Sequence, residues 1–375
     1  MSLLRRARSR PRALIFGSFA QTAISSGLDT ALQTLLGSPL GERYELTVVS
    51  LFRGERTARG TAARVAYGAW LFAQTVCRLV VTGCSVADVH AVSGRDLLKN
   101  GAVVLAARAT RTPIVLRIHG GNFDRAYREA GSLEQAIVRR ILRAADRVVL
   151  LSHSWESVVK SIEPAARTTV IPNSVDCDVL AQTQQQRPAG AEDVLMLGNF
   201  CERKGHFDAV DAAAMVSKSH PRVRFHFFGA ERDPGALAAL QAKVREAGLQ
   251  RTVNFLAPVF GPEKLDRIAS AGIFILPSHT ENMPMAVMEA MAAGMAVVAT
   301  RVGAIPEMID DGETGVLIEP RQPARLAEAI VRLLDDPQAR RRIGGRAAAA
   351  ARAAWDKRAV GNRTAELFDS VTGPR

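Results

Sequence analysis

Two blocks of short apolar runs, each alternating with helical patterns, are what most restricts the fold of this 375-residue chain. In the first block, strand character falls at "ALIFGSF" (Ala13–Phe19), "YELTVVSLF" (Tyr44–Phe52), "ADVHAV" (Ala87–Val92), "PIVLRIHG" (Pro113–Gly120), "DRVVLLS" (Asp146–Ser152) and "TTVIPNS" (Thr168–Ser174). A polar, Gln-rich, Pro/Gly-closed stretch, "AQTQQQRPAG" (Ala181–Gly190), then reads as a linker. The alternation restarts with "DVLMLGN", "RVRFHFFGA", "TVNFLAP", "GIFILPS", "AVVAT" and "GVLI". Near-continuous apolar strands separated by helices mean parallel sheets covered on both faces. The expectation is an α/β protein with two Rossmann-like, doubly wound parallel-sheet domains, residues 1–183 and 184–354, facing a cleft. Ligands of such folds sit beyond the carboxyl ends of the strands. The last helical stretch, about 355–375, is longer than the second domain needs and reads as a helix crossing back to the first. One local signal is a capping box, Ser132 with Gln135, opening a helix at "SLEQ".

Residues 1–150 hold 22 Lys+Arg against 10 Asp+Glu, whereas the remainder balances at 27 against 27. The whole net charge of +12 therefore lies in the first part, which must face something anionic. The basic residues are scattered, with no zinc spacing and no paired aromatics, so nucleic acid is not expected. An anionic membrane surface or phosphorylated ligands remain. The opening "MSLLRRARSRPRALIFGSF" reads as a first strand, not a signal peptide. "VAYGAWLFAQTVC" (Val65–Cys77) is too short an apolar run to span a bilayer. It reads as a buried helix of the first domain, with an interfacial helix as the alternative. The expected location is cytoplasmic, at most peripheral on the inner face of the plasma membrane. Cys77, Cys84, Cys177 and Cys201 form no metal or redox spacing and read as reduced, buried thiols.

The stretch "PSHTENMPMAVMEAMAAG" places two carboxylates, Glu281 and Glu289, around a proline in an otherwise apolar and small-residue segment. It follows the strand "GIFIL". Pro284 suits the first helical position, and Gly294 suits the stop. The free N–H groups near Met283–Ala286 would then form an anion site with a carboxylate on either side. Spacing alone leaves a second reading open, with Glu281 a cap and Glu289 solvated. "LGNFCERKGHFD" delivers Arg203, Lys204 and Gly205 to the next helix start, where cations are unfavourable unless an anion lies between them and the dipole.

These two stretches, with "VGAIPEMIDDGETGVLIEP", resemble consecutive signatures of the family 4 retaining glycosyltransferases, which have the GT-B fold and use nucleotide-sugar donors. In the first half, "ADVHAV", "RIHGG" and "VIPNSVD" resemble further elements of that family, and Trp355 its aromatic opening the crossing helix. The resemblance implies that Lys204 binds the donor diphosphate and neutralises the departing nucleotide. It also implies that Glu281, with the amides of Asn282, Met283 and Pro284's neighbours, holds the transferred sugar. Glu289 would grip the ribose, and His119 would touch the sugar near the reaction centre. Gly198, Asn199 and Arg203 would line the phosphates. Ser26 and Gly27, in "AISSGLDTAL", would stand near the phosphates or the acceptor. Asn199 takes the place of a common arginine, so Arg203 or Lys204 alone must supply the phosphate charge. Asn282 and Ser174 replace glycines in turns, where Asn tolerates a left-handed backbone.

No metal and no cofactor beyond the co-substrate are expected. "DCD" (Asp176–Asp178) resembles a metal motif of another glycosyltransferase fold but sits by the linker, and no GxGxxG opens the first block. His153, His206, His220, His226 and His279 lack metal spacing, although His279 could line the site. The resulting expectation is transfer of a hexose, with retention, from a UDP- or GDP-sugar to a glycan or polyprenyl-linked acceptor in bacterial-type surface polysaccharide assembly. Rival readings are a sugar-nucleotide epimerase or glycoside hydrolase, or a non-catalytic basic nucleotide- or RNA-binding protein.

Overall fold

The structure, a computed structural model, describes residues 10–19, 26–51, 61–92, 95–121, 123–188 and 190–373. The chain before Arg10, Phe52 and residues Ala23–Ser25 of the first loop lie outside the described residues. Two compact units are present: the first comprises 1–23, 32–172 and 358–375, the second 24–31 and 173–357.

The first unit carries a six-stranded parallel sheet of β1 (Arg12–Gly17), β2 (Glu45–Ser50), β3 (Val86–Ala91), β4 (Ile114–Ile118), β5 (Arg147–Leu150) and β6 (Thr168–Val170), in the order β2-β1-β3-β4-β5-β6. The side-chain period of two divides each strand between two cores. Leu14, Phe16, Ala87, Val89, Leu116 and Val148 meet the helices Thr61–Thr82, Arg95–Ala109, Ser132–Ala144 and Ser154–Ile162 on one face. On the other face Ala13, Val86, Val115 and Val149 meet Val360, Ala365, Phe368 and Val371 of the C-terminal helix Lys357–Thr372. Tyr44 locks that helix down. Its ring packs edge-on against Phe368 at 5.3 Å, and its hydroxyl donates to Asp369 Oδ1 at 2.7 Å.

The second unit repeats the plan with β7 (Val194–Leu197), β8 (Phe225–Phe228), β9 (Val253–Leu256), β10 (Ile273–Leu276), β11 (Ala296–Thr300) and β12 (Val316–Ile318), ordered β12-β11-β10-β7-β8-β9. The strand order reverses between β7 and β10, which pair in parallel. Loops leaving the carboxyl ends of two such strands diverge, and the gap between them is where open α/β sheets bind ligands.

Four local expectations change. The stretch read as a linker is helical over Cys177–Gln186, capped by the Asp176 carboxylate, which accepts from Val179 N at 3.2 Å. Its polar composition reflects one exposed face, since Leu180 and Thr183 are buried. Ser132 is not a cap: Gly131 occupies that position, and Gln135 instead donates to the carbonyls of Tyr127 and Ala130, both at 3.1 Å. Trp355 closes the helix Pro337–Trp355 instead of opening the last one, and its carbonyl accepts from Val175 N at 2.9 Å. The Val65–Cys77 segment belongs to the longer helix Thr61–Thr82, which buries Leu71, Thr75 and Leu79 but leaves Trp70, Phe72 and Cys77 exposed. It is thus not a buried helix.

Candidate active site

The loop after β7 carries Gly198 and Asn199, then a single 3₁₀ turn, Glu202–Lys204. Gly205 follows with φ +74°, and the helix His206–Ser219 begins. Gly198 leaves room for the Lys204 stem, whose Cδ would be 3.6 Å from any Cβ placed there. The loop after β10 runs Pro277–Pro284. Arg203 joins the two: its Nη1 donates to the Thr280 carbonyl at 2.9 Å, while its own carbonyl accepts from His279 N at 2.8 Å. Asn199 plays a similar part toward the loop after β8, its Oδ1 accepting from Ala230 N at 3.3 Å. Both side chains therefore brace the loops in this structure, and Lys204 is the cation aimed into the gap.

Lys204 Nζ lies 2.5 Å from Glu281 Oε1, which also accepts from Ser278 Oγ at 2.8 Å. Glu281 is buried, as is Ser278, whose carbonyl accepts from Thr300 Oγ1 at 2.5 Å. A buried carboxylate needs such partners, because an uncompensated charge there costs several kcal/mol, of order 3–5. Asn282 is buried next to it. Its carbonyl accepts from Ala304 N at 2.8 Å, while its side-chain Oδ1 has no hydrogen-bond partner among the described residues. That oxygen is a buried acceptor left unsatisfied beside Glu281.

The helix Met285–Ala292 starts one residue later than Pro284's chemistry suggests. Pro284 is the extended N-cap, with ψ 119°, and its carbonyl accepts from Val287 and Met288 at 3.1 and 3.3 Å. The N–H groups of Met285 and Ala286 thus lie ahead of the helical ladder, pointing out of its positive end. The helix ends as expected at Gly294 (φ +66°), whose N–H reaches Met291 O at 2.9 Å while Met295 N reaches Ala290 O at 3.0 Å. Arg187, from the segment read as a linker, donates to the carbonyls of Gly294 and Ala293 at 2.9 and 3.0 Å. Glu289 is the one charge on this apolar helix, and Lys264 Nζ holds its Oε1 at 2.6 Å, both side chains largely buried. Ser26 caps the helix Gly27–Leu36 by accepting from Asp29 N at 3.2 Å, and Gly27 faces Met285, whose Cγ would be 3.7 Å from a Cβ at that position.

The first unit has its own polar row at the carboxyl ends of β3 and β4. Asp88 is fully buried between Arg117 Nε, 3.0 Å from its Oδ2, and His90 Nε2 at 3.3 Å. Burial would raise its carboxyl, but Arg117 and His90 outweigh this and hold it down at about 2. His90 Nδ1 in turn lies 3.0 Å from His119 Nε2, so the two rings are joined by a hydrogen bond. Burial, His90 and Arg117 together push the pKa of His119 well below the ordinary range, so it is neutral at pH 7.

Sequence reasoning missed Lys264, Ser278, Asp88, His90 and Arg117 as site supports. Lys264 lies on the helix Gly261–Ser270, with no spacing that ties it to Glu289. The Asp88–His90 and Arg117–His119 pairs do show a period of two, the one available signal. His279 is bound to Asp208 Oδ2 at 2.7 Å. Asp176 and Asp178 are engaged by Lys357 and Arg352 at 2.5 and 2.9 Å.

His206 backs the Lys204 turn. It is wholly buried and edge-on to Phe200 at 5.2 Å. Neither ring nitrogen has a hydrogen-bond partner among the described residues. Burial pushes its pKa down to about 4. As pH falls below about 6.5 the unfolded chain gains a proton there that the folded chain refuses until about 4. Stability should therefore decline over that interval by about 3 kcal/mol from this residue alone. Urea titrations of wild type and His206→Phe at pH 7.5 and 4.5 check this. The variant should lose less stability on acidification; an equal loss would exclude His206 as the cause.

The two six-stranded parallel sheets with their flanking helices define a GT-B architecture, and comparison with known proteins agrees. Residues 39–179 match the model of Glycosyltransferase Family 4, and residues 181–350 that of Glycosyl transferases group 1. The chain belongs to this glycosyltransferase family and has its GT-B fold. It is 27% identical over 286 residues to a Mycobacterium tuberculosis glycogen synthase, covering 74% of this chain and 68% of the relative. It is 31% identical over 242 residues to the D-inositol 3-phosphate glycosyltransferase of Acidothermus cellulolyticus, covering 59% of this chain and about half (53%) of that relative. Among solved structures, Anabaena HepE in complex with UDP superimposes with TM-score 0.77 at 19% identity, covering 96% of this chain and all of that one. Sucrose-phosphate synthase of Thermosynechococcus elongatus gives 0.78 at 19%, covering 96% and 99%.

Proposed function

We infer that this glycosyltransferase moves a hexose, with retention of configuration, from a UDP- or GDP-sugar to a glycan or polyprenyl-linked acceptor of a bacterial-type surface polysaccharide. The observation that carries the reading is the Lys204–Glu281 contact at 2.5 Å, next to the open helix start that Glu289 lies inside. One lysine, two amides and two carboxylates suit a ligand with a phosphate centre and hydroxyls at both ends. The HepE complexes with UDP and UDP-glucose lend support to a nucleotide-sugar donor. In the reaction, Lys204 shifts from Glu281 to the diphosphate, freeing Glu281 to accept hydroxyls of the sugar. The C1–O bond breaks as negative charge builds on the leaving diphosphate, where Lys204 and the amides of Met285 and Ala286 stabilise it. A diphosphate oxygen takes the acceptor's proton as the acceptor attacks on the same face. His119, neutral at pH 7, hydrogen-bonds a sugar hydroxyl, a role carried by the family resemblance. The protein works at the cytoplasmic side of an anionic membrane, where its basic first unit faces the lipid.

Calorimetry with UDP, GDP and their hexose conjugates tests the donor site. Wild type should bind one nucleotide selectively, and Glu289→Ala should weaken it by about tenfold or more, as expected for a lost charge-assisted pair of hydroxyl bonds of about 1.5–3 kcal/mol. Equal binding by the variant would remove Glu289 from the site. Turnover without acceptor would favour the epimerase or hydrolase reading, and binding without turnover that Glu281→Ala leaves unchanged the non-catalytic one. Product anomericity by NMR decides retention.

A further inference from the structure

We propose that the helix Thr61–Thr82 docks flat on an anionic lipid bilayer through a stripe of exposed apolar side chains. The proposal deepens the membrane reading above by naming the surface. Ala66, Trp70, Ala73, Cys77, Val80 and Val81 are spaced i, i+4, i+7, i+11, i+14 and i+15, which places them on one face at 100° per residue. All six are exposed, the larger ones well so: Trp70 at 43%, Val80 at 65% and Val81 at 77%. The opposite face is fully employed, with Leu71, Thr75 and Leu79 buried toward the helix Arg95–Ala109. A continuous apolar stripe over four turns is more than the scattered exposed residues normal on a protein surface.

Charge decides the occupant. From Arg56 to Ala87 the sequence has four arginines and no Asp or Glu. Arg78 is exposed beside the stripe. A second copy packed on the same face would bring a second Arg78 to it and no acidic side chain from this helix. An anionic headgroup layer supplies a countercharge for Arg78, and an apolar face with a basic neighbour is the pattern of an in-plane interfacial helix. No helix among the described residues is long and apolar enough to cross a membrane, so the contact is superficial. Tyr67 stacks on Trp70 at 5.8 Å between ring centroids, placing two amphipathic rings where headgroups meet acyl chains.

The test is co-sedimentation of the full chain with phosphatidylglycerol–phosphatidylcholine vesicles and with pure phosphatidylcholine vesicles. Wild type should partition at least tenfold better onto the anionic vesicles. Trp155 and Trp355 are buried, so a blue shift of fluorescence on binding reports Trp70. Val80→Asp with Val81→Asp changes only exposed positions; partitioning should drop at least tenfold with the melting temperature unchanged. Undiminished binding by this variant would overturn the docking role of the stripe while leaving the membrane reading intact. No vesicle binding by wild type would overturn both. A wild-type dimer in light scattering that the variant dissociates would also overturn the proposal, by making a second copy the occupant.

Discussion

Replacing Lys204 by alanine is expected to lower the transfer rate by about two to three orders of magnitude, the usual effect of removing one preorganised stabiliser of developing charge. The loss should fall on kcat more than on KM, because the full negative charge appears only as the C1–O bond breaks. The substitution has a second consequence. It leaves Glu281, buried and bonded to Ser278 Oγ, without its cation. Part of any observed loss could therefore come from destabilisation, of order 3–5 kcal/mol when one member of a buried pair is removed. The double variant Lys204→Ala, Glu281→Gln separates the two, since the amide needs no countercharge. Melting temperature should recover in the double variant while kcat stays low. Recovery of kcat along with stability would mean that Lys204 acts only as a partner for Glu281.

The second large effect is expected at Gly205. With φ +74° it sits in the left-handed region, where an L side chain costs about 1–2 kcal/mol. A Cβ there would also overlap the carbonyl oxygen of Pro277, which belongs to the backbone leaving β10 and cannot rotate away. Gly205→Ala should thus cost at least about 3 kcal/mol in total, among the large single-residue effects. Gly235 is the control. It too has positive φ, +83°, but nothing lies within 4 Å of its missing Cβ, so Gly235→Ala should cost only about 1 kcal/mol. Urea unfolding of both variants makes the comparison. Equal losses would show that the Gly205–Pro277 approach carries no special weight. The approach has a functional meaning as well: it brings the turn bearing Lys204 against the loop bearing Glu281.

Much of this was legible in the chain. Alternating apolar strands and helices fix two parallel α/β units, because a strand apolar on both sides has to be covered on both sides. The Glu281–Glu289 spacing, the RKG turn and the glycine stop at Gly294 mark one helix start and its neighbours, since caps and left-handed positions are local chemistry. Local chemistry also misled where a neighbour in space intervened. The Gln-rich segment became a helix because Leu180 and Thr183 found a surface to pack on, and its Arg187 found the end of the helix Met285–Ala292.

The pairings themselves required the tertiary structure. Nothing in the sequence joins Lys264 to Glu289, Lys204 to Glu281, or the C-terminal helix to the back of β1, β3, β4 and β5. These contacts arise from strand order, which sets which loop ends meet. The exposed stripe on Thr61–Thr82 is of the same kind. The sequence determined that this helix is apolar on more than one side; only packing decided which side the sheet would cover and which would be left facing out.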